Sequence, residues 1–329
     1  TLATGAHPSV HGMVGNLWFD REAGVTTYNV EDGNYRLLTE GADVDEDAEI
    51  DPTQRAARSE GRSPAAILVT TFSDELAAAT NGKAKIIGVS VKDRGAISMA
   101  GHAGTAYWFS KPTGEFVTST YYLDDYPTWV TDFNAAEPAR AYANTSWTLL
   151  QEQDTYLFGA SDDRAGEAEV AGFGRTFPHA FGDGSSPYFT TWLTLSPAGD
   201  RLVLDFAREV LVNERLGDDE VTDYLSVSFS STDYVGHVFG PSSLEGEDNL
   251  LRLDQTIADL LAFVDSELGL DNTLVVLSAD HGGPDTPGYL ESLGIPAGYV
   301  DPENWDRAAA IERIRKRFRI KGPLIEAYN

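Results

Sequence analysis

Short apolar runs alternate with amphipathic helical patterns along most of this 329-residue chain. Strand-like runs occupy Ala66 to Phe72, Lys85 to Val91 and Tyr224 to Ser230. Helix-like segments, with apolar residues at spacings of three and four, occupy Leu202 to Glu214 and Asn249 to Leu268. This alternation is typical of an α/β fold whose sheet is mainly parallel and is covered by helices.

Three further segments complete the expected organisation. The run Asn272 to Ser278 (NTLVVLS) is nearly continuous in apolar residues and predicts a central strand buried on both faces. Residues of about 110 to 200 are rich in aromatics, proline and glycine with less regular periodicity, which indicates an insertion that caps the core. A helix flanked by basic residues is expected over Asp306 to Lys321.

Charge and cysteine content exclude several kinds of protein. The chain has 52 Asp and Glu against 24 Lys and Arg, a formal net charge of -28, and only six of the cations are Lys. We therefore expect no nucleic-acid partner, because a phosphate backbone requires a basic surface. No run approaches 18 consecutive apolar residues, so no membrane span is expected. Because the chain has no Cys, any metal must be held by His and carboxylates.

Two short motifs each follow a strand-like run. Asp233 and His237, in STDYVGHVFGP, are four residues apart and can reach one metal ion from a single turn. Asp280 and His281 follow NTLVVLS and precede two glycines, at the strand end where ligands gather in open α/β sheets. Alone, the first motif is also compatible with a surface turn. Together, separated by a strand-helix-strand unit, the two motifs suit a pair of metal ions.

These motifs resemble the metal-binding half of the alkaline phosphatase superfamily, in its type I phosphodiesterase/nucleotide pyrophosphatase branch. The matching stretches are STDYVGHVFGP, the helix around LLRLDQTIADLLAFVD, and LVVLSADHGG. The resemblance implies an alkaline-phosphatase-like three-layer sandwich over residues 1–329, a single incomplete catalytic domain with its cap at about 110 to 200. It also implies that Asp233 and His237 hold one zinc ion and that Asp280 and His281 are ligands of a second.

Two upstream segments extend the resemblance. TGAHPSVHGMVGNLWFD is similar to the segment after the family's nucleophile, which implies that Asn16 touches a phosphate oxygen; without that context Asn16 is an ordinary polar turn residue. NGKAKIIGVSVKDRGAISMAGHAGTAYWF closely resembles bacterial monoesterases with a threonine nucleophile, which implies that Lys92 and Arg94 contact the non-bridging phosphoryl oxygens. A monoester dianion carries more charge than a diester, so two fixed cations favour monoesters.

The four other histidines have no expected role in metal binding. We expect His7 and His11 to support their loop, and His102 and His179 to be structural or exposed.

Three catalytic elements of the resembled family have no counterpart in this sequence. The resemblance implies a nucleophilic threonine before the position of Thr4, an aspartate ligand further upstream, and a late histidine ligand, whereas no His follows His281. We therefore expect the chain as written to be a fragment, inactive or nearly so.

The expected function is metal-dependent hydrolysis of small-molecule phosphate monoesters, through two zinc ions and a phospho-threonine intermediate in the complete protein. Manganese or iron also suit His and carboxylate ligands. One alternative is a phosphodiesterase or nucleotide pyrophosphatase on the same fold, and another is an inactive metal-binding remnant. The family implies a periplasmic or secreted location. The sequence indicates neither the leaving group nor the oligomeric state.

Overall fold

The computed structural model describes residues 1–164, 166–299, 303–322 and 324. Its strands are β1 (Leu17–Asp20), β2 (Val25–Tyr28), β3 (Ile86–Ser90), β4 (Thr105–Ser110), β5 (Glu115–Val117), β6 (Ser146–Trp147), β7 (His179–Ala180) and β8 (Tyr224–Ser228). Its α-helices are α1 (Pro8–His11), α2 (Pro52–Arg55), α3 (Phe72–Ala79), α4 (Asp93–Ala100), α5 (Thr128–Ala135), α6 (Phe189–Thr194), α7 (Pro197–Asn213), α8 (Ser231–Val238), α9 (Leu244–Glu267), α10 (Pro287–Ser292), α11 (Glu303–Asp306) and α12 (Ala309–Phe318). Short 3-10 helices lie at Pro138–Tyr142, Gln153–Thr155 and Leu270–Asn272.

A mainly parallel sheet organises the domain, as the sequence predicts. Its strand order is β5-β4-β3-β8, in which β3 is parallel to both β4 and β8 and only β5 is antiparallel to its neighbour. Every residue of β3 is buried, because strands lie on both sides of it and helices cover both faces.

Helices pack on the two faces of the sheet and make the three layers. On one face α4 lies against β3 and β4, and on the other α7 packs against β3 and β8 and in turn contacts α9. The approach of α4 depends on Gly88, where a Cβ atom would lie 2.4 Å from the carbonyl oxygen of Ala96. A glycine at this position therefore permits the close contact of helix and strand.

Aromatic side chains fill the core on the α7 face. Phe206 is fully buried, and its ring stacks on that of Phe116 with centroids 4.2 Å apart and planes inclined by 12°. The rings of Tyr107, Trp129 and Phe133 lie within 5.1–5.3 Å of the Phe206 ring. Such clusters contribute both buried area and favourable ring geometry.

Four predicted elements are confirmed with adjusted ends. Strands form within Lys85 to Val91 and Tyr224 to Ser230, as β3 and β8. The helices expected at Leu202 to Glu214 and Asn249 to Leu268 begin five residues earlier, as α7 and α9. Each earlier start has a serine cap, Ser196 or Ser243, whose hydroxyl accepts a backbone N–H hydrogen bond from the first turn.

Two predicted strands are wrong. Residues 66–71 form no strand, and Phe72 already begins α3, which Thr71 caps in a reciprocal capping box with Asp74. The run Asn272 to Ser278 is extended but unpaired, and the exposed fractions of Leu274, Val275, Val276 and Leu277 are 90%, 50%, 79% and 78%. A central strand needs a neighbour and two covering layers, and among the described residues β8, the last strand of the sheet, pairs only with β3.

The last predicted helix is shorter than expected. Within Asp306 to Lys321 the helix α12 covers Ala309–Phe318, and it ends where Arg319 adopts the left-handed conformation at φ 57°. No helix among the described residues has the length and apolar character required to cross a membrane.

Residues of about 110 to 200 pack beside the helices that follow β8. The indole N–H of Trp147 and the hydroxyl of Tyr156 both donate to the buried carboxylate of Asp248 in α9, over 2.6 and 2.5 Å. The backbone N–H of Ala168 donates to the carbonyl of Val238 over 2.8 Å. These contacts place the segment next to α8, which carries Asp233 and His237.

Candidate active site

The candidate site lies where the parallel strands β3 and β8 end. Their register pairs Ser90 with Ser228, so the residues after both strands emerge at the same edge of the sheet. The hydroxyl oxygens of Ser90 and Ser230 are 3.0 Å apart there. Lys92 precedes α4 and Asp233 lies in the first turn of α8, so both side chains reach this edge.

Lys92 and Asp233 form an ion pair at the centre of the site. The Lys92 Nζ contacts Oδ2 of Asp233, and the lysine side chain is only 5% exposed. Burial and the neighbouring charge of Arg94 lower the pKa of Lys92, against the attraction of Asp233. Burial opposes ionisation of Asp233, but its hydrogen bond with His237 and the charge of Lys92 outweigh burial and hold its pKa well below the ordinary value. The Asp233 carboxylate is therefore ionised across the neutral range.

The four predicted metal ligands come together around Asp233. Its Oδ1 lies 3.4 Å from Nε2 of His237 and 3.6 Å from Nε2 of His281. The same His281 nitrogen is 3.5 Å from Oδ2 of Asp280. The hydrogen bond to Asp233 raises the pKa of His237.

These distances can be compared with the geometry that a metal requires. Two ligand atoms bound tetrahedrally to one zinc ion at 2.0–2.2 Å are about 3.3–3.6 Å apart. The two predicted pairs fall in this range, at 3.4 Å for Asp233 with His237 and 3.5 Å for Asp280 with His281. Across the described part of the chain, no three His, Asp or Glu side chains converge on one point suited to a metal. The spacing within each pair thus suits two ligands of one divalent ion.

A loop brings Asp280 and His281 to the site although no strand precedes them. The hydroxyl of Ser242, just after α8, donates to Oδ1 of Asp285 over 2.5 Å. Gly283 lies close to Pro241 in the same turn. The segment after α9 is therefore fastened to the segment after α8, which brings Asp280 and His281 near Asp233 although the predicted strand is absent.

Arg94 lies beside this centre and is held by oxygen atoms of other segments. Its Nη1 donates to Oδ2 of Asp51 over 3.0 Å and to the hydroxyl of Tyr28 over 3.3 Å. The side chain is 16% exposed. Arg94 therefore has a defined direction at the edge of the site.

Asn16 is exposed and has a different partner from the other predicted site residues. Its side-chain oxygen accepts a hydrogen bond from Asn29 over 3.2 Å, and its carbonyl accepts the backbone N–H of Asn29 over 2.9 Å. Among the described residues, no hydrogen bond or ion pair joins Asn16 to Lys92 or Asp233. Its contact with phosphate stays a prediction.

The side chains of His11, His102 and His179 are held by protein groups. His11 is buried, its Nε2 lies 3.2 Å from the Thr1 hydroxyl, and its Nδ1 accepts the N–H of Met13. His102 Nδ1 is 2.7 Å from Asp74, and the fully buried His179 is 3.2 Å from Glu245. These partners agree with structural roles for His11, His102 and His179, and His7 is exposed.

The sequence did not indicate Asp51 and Tyr234, whose side chains contact Arg94 and Lys92. Asp51 precedes Pro52 and is the N-cap of α2, so its pattern indicates only a capping residue. Tyr234 follows Asp233, but nothing in its spacing marks it. Asp93, between the two predicted cations, was a local signal that carboxylates pair with them.

Comparisons with known proteins identify the family. Residues 1–323 match the type I phosphodiesterase / nucleotide pyrophosphatase family. Alkaline phosphatase PhoV of Synechococcus elongatus is 40% identical over 301 residues, 91% of this chain and 52% of that protein. Alkaline phosphatase PafA of Elizabethkingia meningoseptica is 37% identical over 304 residues, 91% of this chain and 53% of that protein.

A solved structure supports the same relationship. The crystal structure of wild-type alkaline phosphatase PafA matches with a TM-score of 0.83 at 35% identity, over 96% of this chain and 58% of that one. This match confirms the expected alkaline-phosphatase-like α/β fold. The chain spans about half the length of the curated relatives it matches.

Proposed function

The chain belongs to the type I phosphodiesterase/nucleotide pyrophosphatase family of hydrolases, and on that premise we propose that it contributes the metal and phosphate site of a phosphate monoesterase of the alkaline phosphatase type. One observation carries the proposal. The buried Lys92 contacts the carboxylate of Asp233, whose other oxygen is within 3.6 Å of both His237 and His281. A buried cation and the candidate metal ligands are therefore neighbours, which supports the proposal.

The cations of this site are suited to bind a phosphoryl group. Lys92 and Arg94 lie two residues apart at the end of β3, and each is held by a carboxylate. We propose that both donate to the equatorial oxygens, with Asn16 as a third donor, and so orient the ester for in-line displacement. A monoester dianion benefits more than a diester, because it presents the additional charged oxygen.

Asp233 and His237 would hold one metal ion, and Asp280 and His281 the second. When bound, a pair of divalent ions supplies Lewis-acid stabilisation of the oxygens that attack and leave phosphorus. The His and carboxylate donors suit zinc, and also manganese or iron.

The activity of the whole protein is likewise a proposal. We propose a two-step displacement through a phospho-threonine intermediate, on the resemblance to threonine monoesterases. The segment of about 110 to 200 would act as a cap, since it contacts α8 beside the ligands. A periplasmic or secreted location is proposed from the alkaline phosphatase relatives, and cell fractionation tests it.

Metal binding is the first test. We would titrate zinc into the metal-stripped 329-residue chain and into a form extended at both ends to include the expected Thr, Asp and His. We expect two zinc equivalents in the extended form, with one lost in Asp233→Asn and one in Asp280→Asn. Asp254→Asn, which removes an exposed carboxylate of α9, is the matched control and keeps both. An extended protein that retains no zinc would contradict the proposal.

Substrate preference is the second test. In the extended form, Lys92→Ala should lower kcat/KM for p-nitrophenyl phosphate about 10- to 100-fold, the loss expected for one charged hydrogen bond. The loss for bis(p-nitrophenyl) phosphate should be much smaller. Lys83→Ala removes an exposed lysine and should change neither rate. Equal losses on both esters would favour the phosphodiesterase alternative, and turnover by the unextended chain would refute the expected nucleophile.

A further inference from the structure

A buried network of charged and aromatic side chains contacts Lys92 and Arg94. Its members are all at least nine-tenths buried, and they are Tyr28, Glu49, Asp51, Arg62, Asp93, Lys111 and Tyr234. With Lys92 and Arg94 the network contains four cations and three carboxylates, and Lys92 and Arg62 are further paired with Asp233 and Asp43. Burying so many charges is costly unless each is aligned with a partner, so the geometry of the pairs is decisive.

Asp51 is the most firmly held carboxylate of this network. Its Oδ1 accepts hydrogen bonds from the backbone N–H and the hydroxyl of Thr53 at 2.9 and 2.5 Å, as the N-cap of α2. Its Oδ2 accepts from Arg94 Nη1 at 3.0 Å. One oxygen is thus fixed by the fold, and the other directs the guanidinium.

Tyr234 connects Asp51 to Lys92. Its hydroxyl lies 3.4 Å from Oδ2 of Asp51 and 3.2 Å from Nζ of Lys111. The Lys92 Nζ lies over the face of the Tyr234 ring, 3.9 Å from its centroid. The ring therefore supports one cation of the site while the hydroxyl supports the carboxylate that holds the other.

Arg94 has a second support, the hydroxyl of Tyr28. The hydroxyl of Tyr28 accepts from its Nη1 at 3.3 Å and donates to Oδ1 of Asp93 at 2.5 Å. Asp93 is in turn paired with Arg62, whose Nε lies 2.8 Å from Oδ2. This second support joins Arg94 to the fold but carries no formal charge at the contact, so the charged contact with Asp51 is the stronger constraint.

We propose that Asp51 and Tyr234 are positioning residues for phosphate: Asp51 directs the Arg94 guanidinium and Tyr234 supports the Lys92 ammonium, so that both cations face one phosphoryl group. The inference rests on the proposed function, because it assigns the binding geometry of that same site. Asp51 acts through Arg94 and touches no substrate.

The first test is Asp51→Asn in the zinc-loaded, extended protein. Asparagine caps a helix as well as aspartate does, so α2 should remain folded while Arg94 loses its charged partner. We expect kcat/KM for p-nitrophenyl phosphate to fall about 10-fold, the value for one misaligned charged hydrogen bond, with less than about a twofold change for bis(p-nitrophenyl) phosphate. Asp254→Asn is the matched control, because Asp254 is an exposed carboxylate of α9 outside this network.

A double-mutant cycle separates positioning from a general structural effect. If Asp51 acts through Arg94, then adding Asp51→Asn to Arg94→Ala should cause no further loss of monoester turnover. Additive losses, or equal losses on both esters, would overturn the proposal. Tyr234→Phe keeps the ring and should cost less than Asp51→Asn.

A structural readout keeps the inference independent of turnover. A crystal structure of Asp51→Asn should show the Arg94 guanidinium displaced or disordered, while the control variant keeps it in place. If the wild-type protein hydrolyses neither ester and Arg94 still moves in Asp51→Asn, the proposed function fails but the positioning role stands. If Arg94 keeps its place in that variant, the positioning role is refuted whatever the activity.

Discussion

Asp200 allows a quantitative test of how the candidate site is supported. This carboxylate is 1% exposed, in the first turn of α7. It accepts the backbone N–H of Ser231 at 3.0 Å and the hydroxyl of Thr232 at 3.4 Å, at the start of the helix that carries Asp233. Desolvation outweighs these hydrogen bonds and raises its pKa from 3.8 to about 7. Asp200 therefore keeps its proton to a higher pH than an ordinary aspartate does, and it lies next to the start of α8.

The raised pKa determines the sign and size of a pH effect on stability. Between pH 4 and 7 the folded chain keeps the Asp200 proton while the unfolded chain has lost it, so the free energy of unfolding falls as pH rises and levels off above pH 7. At 1.36 kcal/mol per pH unit, the fall from pH 5 to pH 8 through Asp200 is about 2–3 kcal/mol. Asp200→Asn has no such proton to lose, and its amide oxygen can still accept from Ser231.

The assay is urea unfolding of both proteins at pH 5 and pH 8, followed by two spectroscopic probes. Relative to wild type, Asp200→Asn should become more stable by about 2–3 kcal/mol between the two pH values. Asp254→Asn, an exposed carboxylate on α9, controls for the change in net charge. The reasoning is refuted if the difference in free energy of unfolding between wild type and Asp200→Asn is the same at pH 5 and pH 8 within about 0.5 kcal/mol. The desolvation of Asp200 would then be compensated in the folded protein.

Two further predictions concern packing, and both are read from urea unfolding. Phe206→Ala removes the fully buried ring at the centre of the aromatic cluster and should destabilise by about 3–5 kcal/mol, whereas Leu157→Ala, at a side chain 86% exposed, should change stability by less than about 0.5 kcal/mol. Gly88→Ala places a Cβ 2.4 Å from the carbonyl of Ala96 and should cost about 1–3 kcal/mol, whereas Gly236→Ala, with no atom within 4 Å, should gain about 0.5–1 kcal/mol. A neutral Gly88→Ala would mean that α4 moves away from β3 without loss.

Local patterns predicted most of the layers. Apolar runs predicted β3 and β8, and apolar residues at spacings of three and four predicted α7 and α9. The same reasoning was wrong for Ala66 to Phe72, where Thr71 and Asp74 form a helix cap that the apolar count ignores. It was also wrong for Asn272 to Ser278, because an apolar run indicates burial only where partners exist to cover it.

The candidate ligands were predicted because each pair is local in sequence. Asp233 and His237 share one turn of α8, and Asp280 and His281 are adjacent. The residues behind the cations were not predicted, because Asp51 reaches Arg94 across 43 residues of chain and its own neighbours indicate only a cap.

By itself, the sequence determined that this chain is an α/β protein, and it identified two local pairs of His and carboxylate residues as candidate ligands. Periodicity and ligand spacing act over a few residues and can be read without knowing which segments meet. Only the tertiary structure decided that Lys92 lies against Asp233, 141 residues away. It also decided that Asp51 contacts Arg94 and that the Tyr234 ring contacts Lys92. The reason is that such contacts depend on the parallel register of β3 and β8, which brings two distant strand ends to one edge of the sheet.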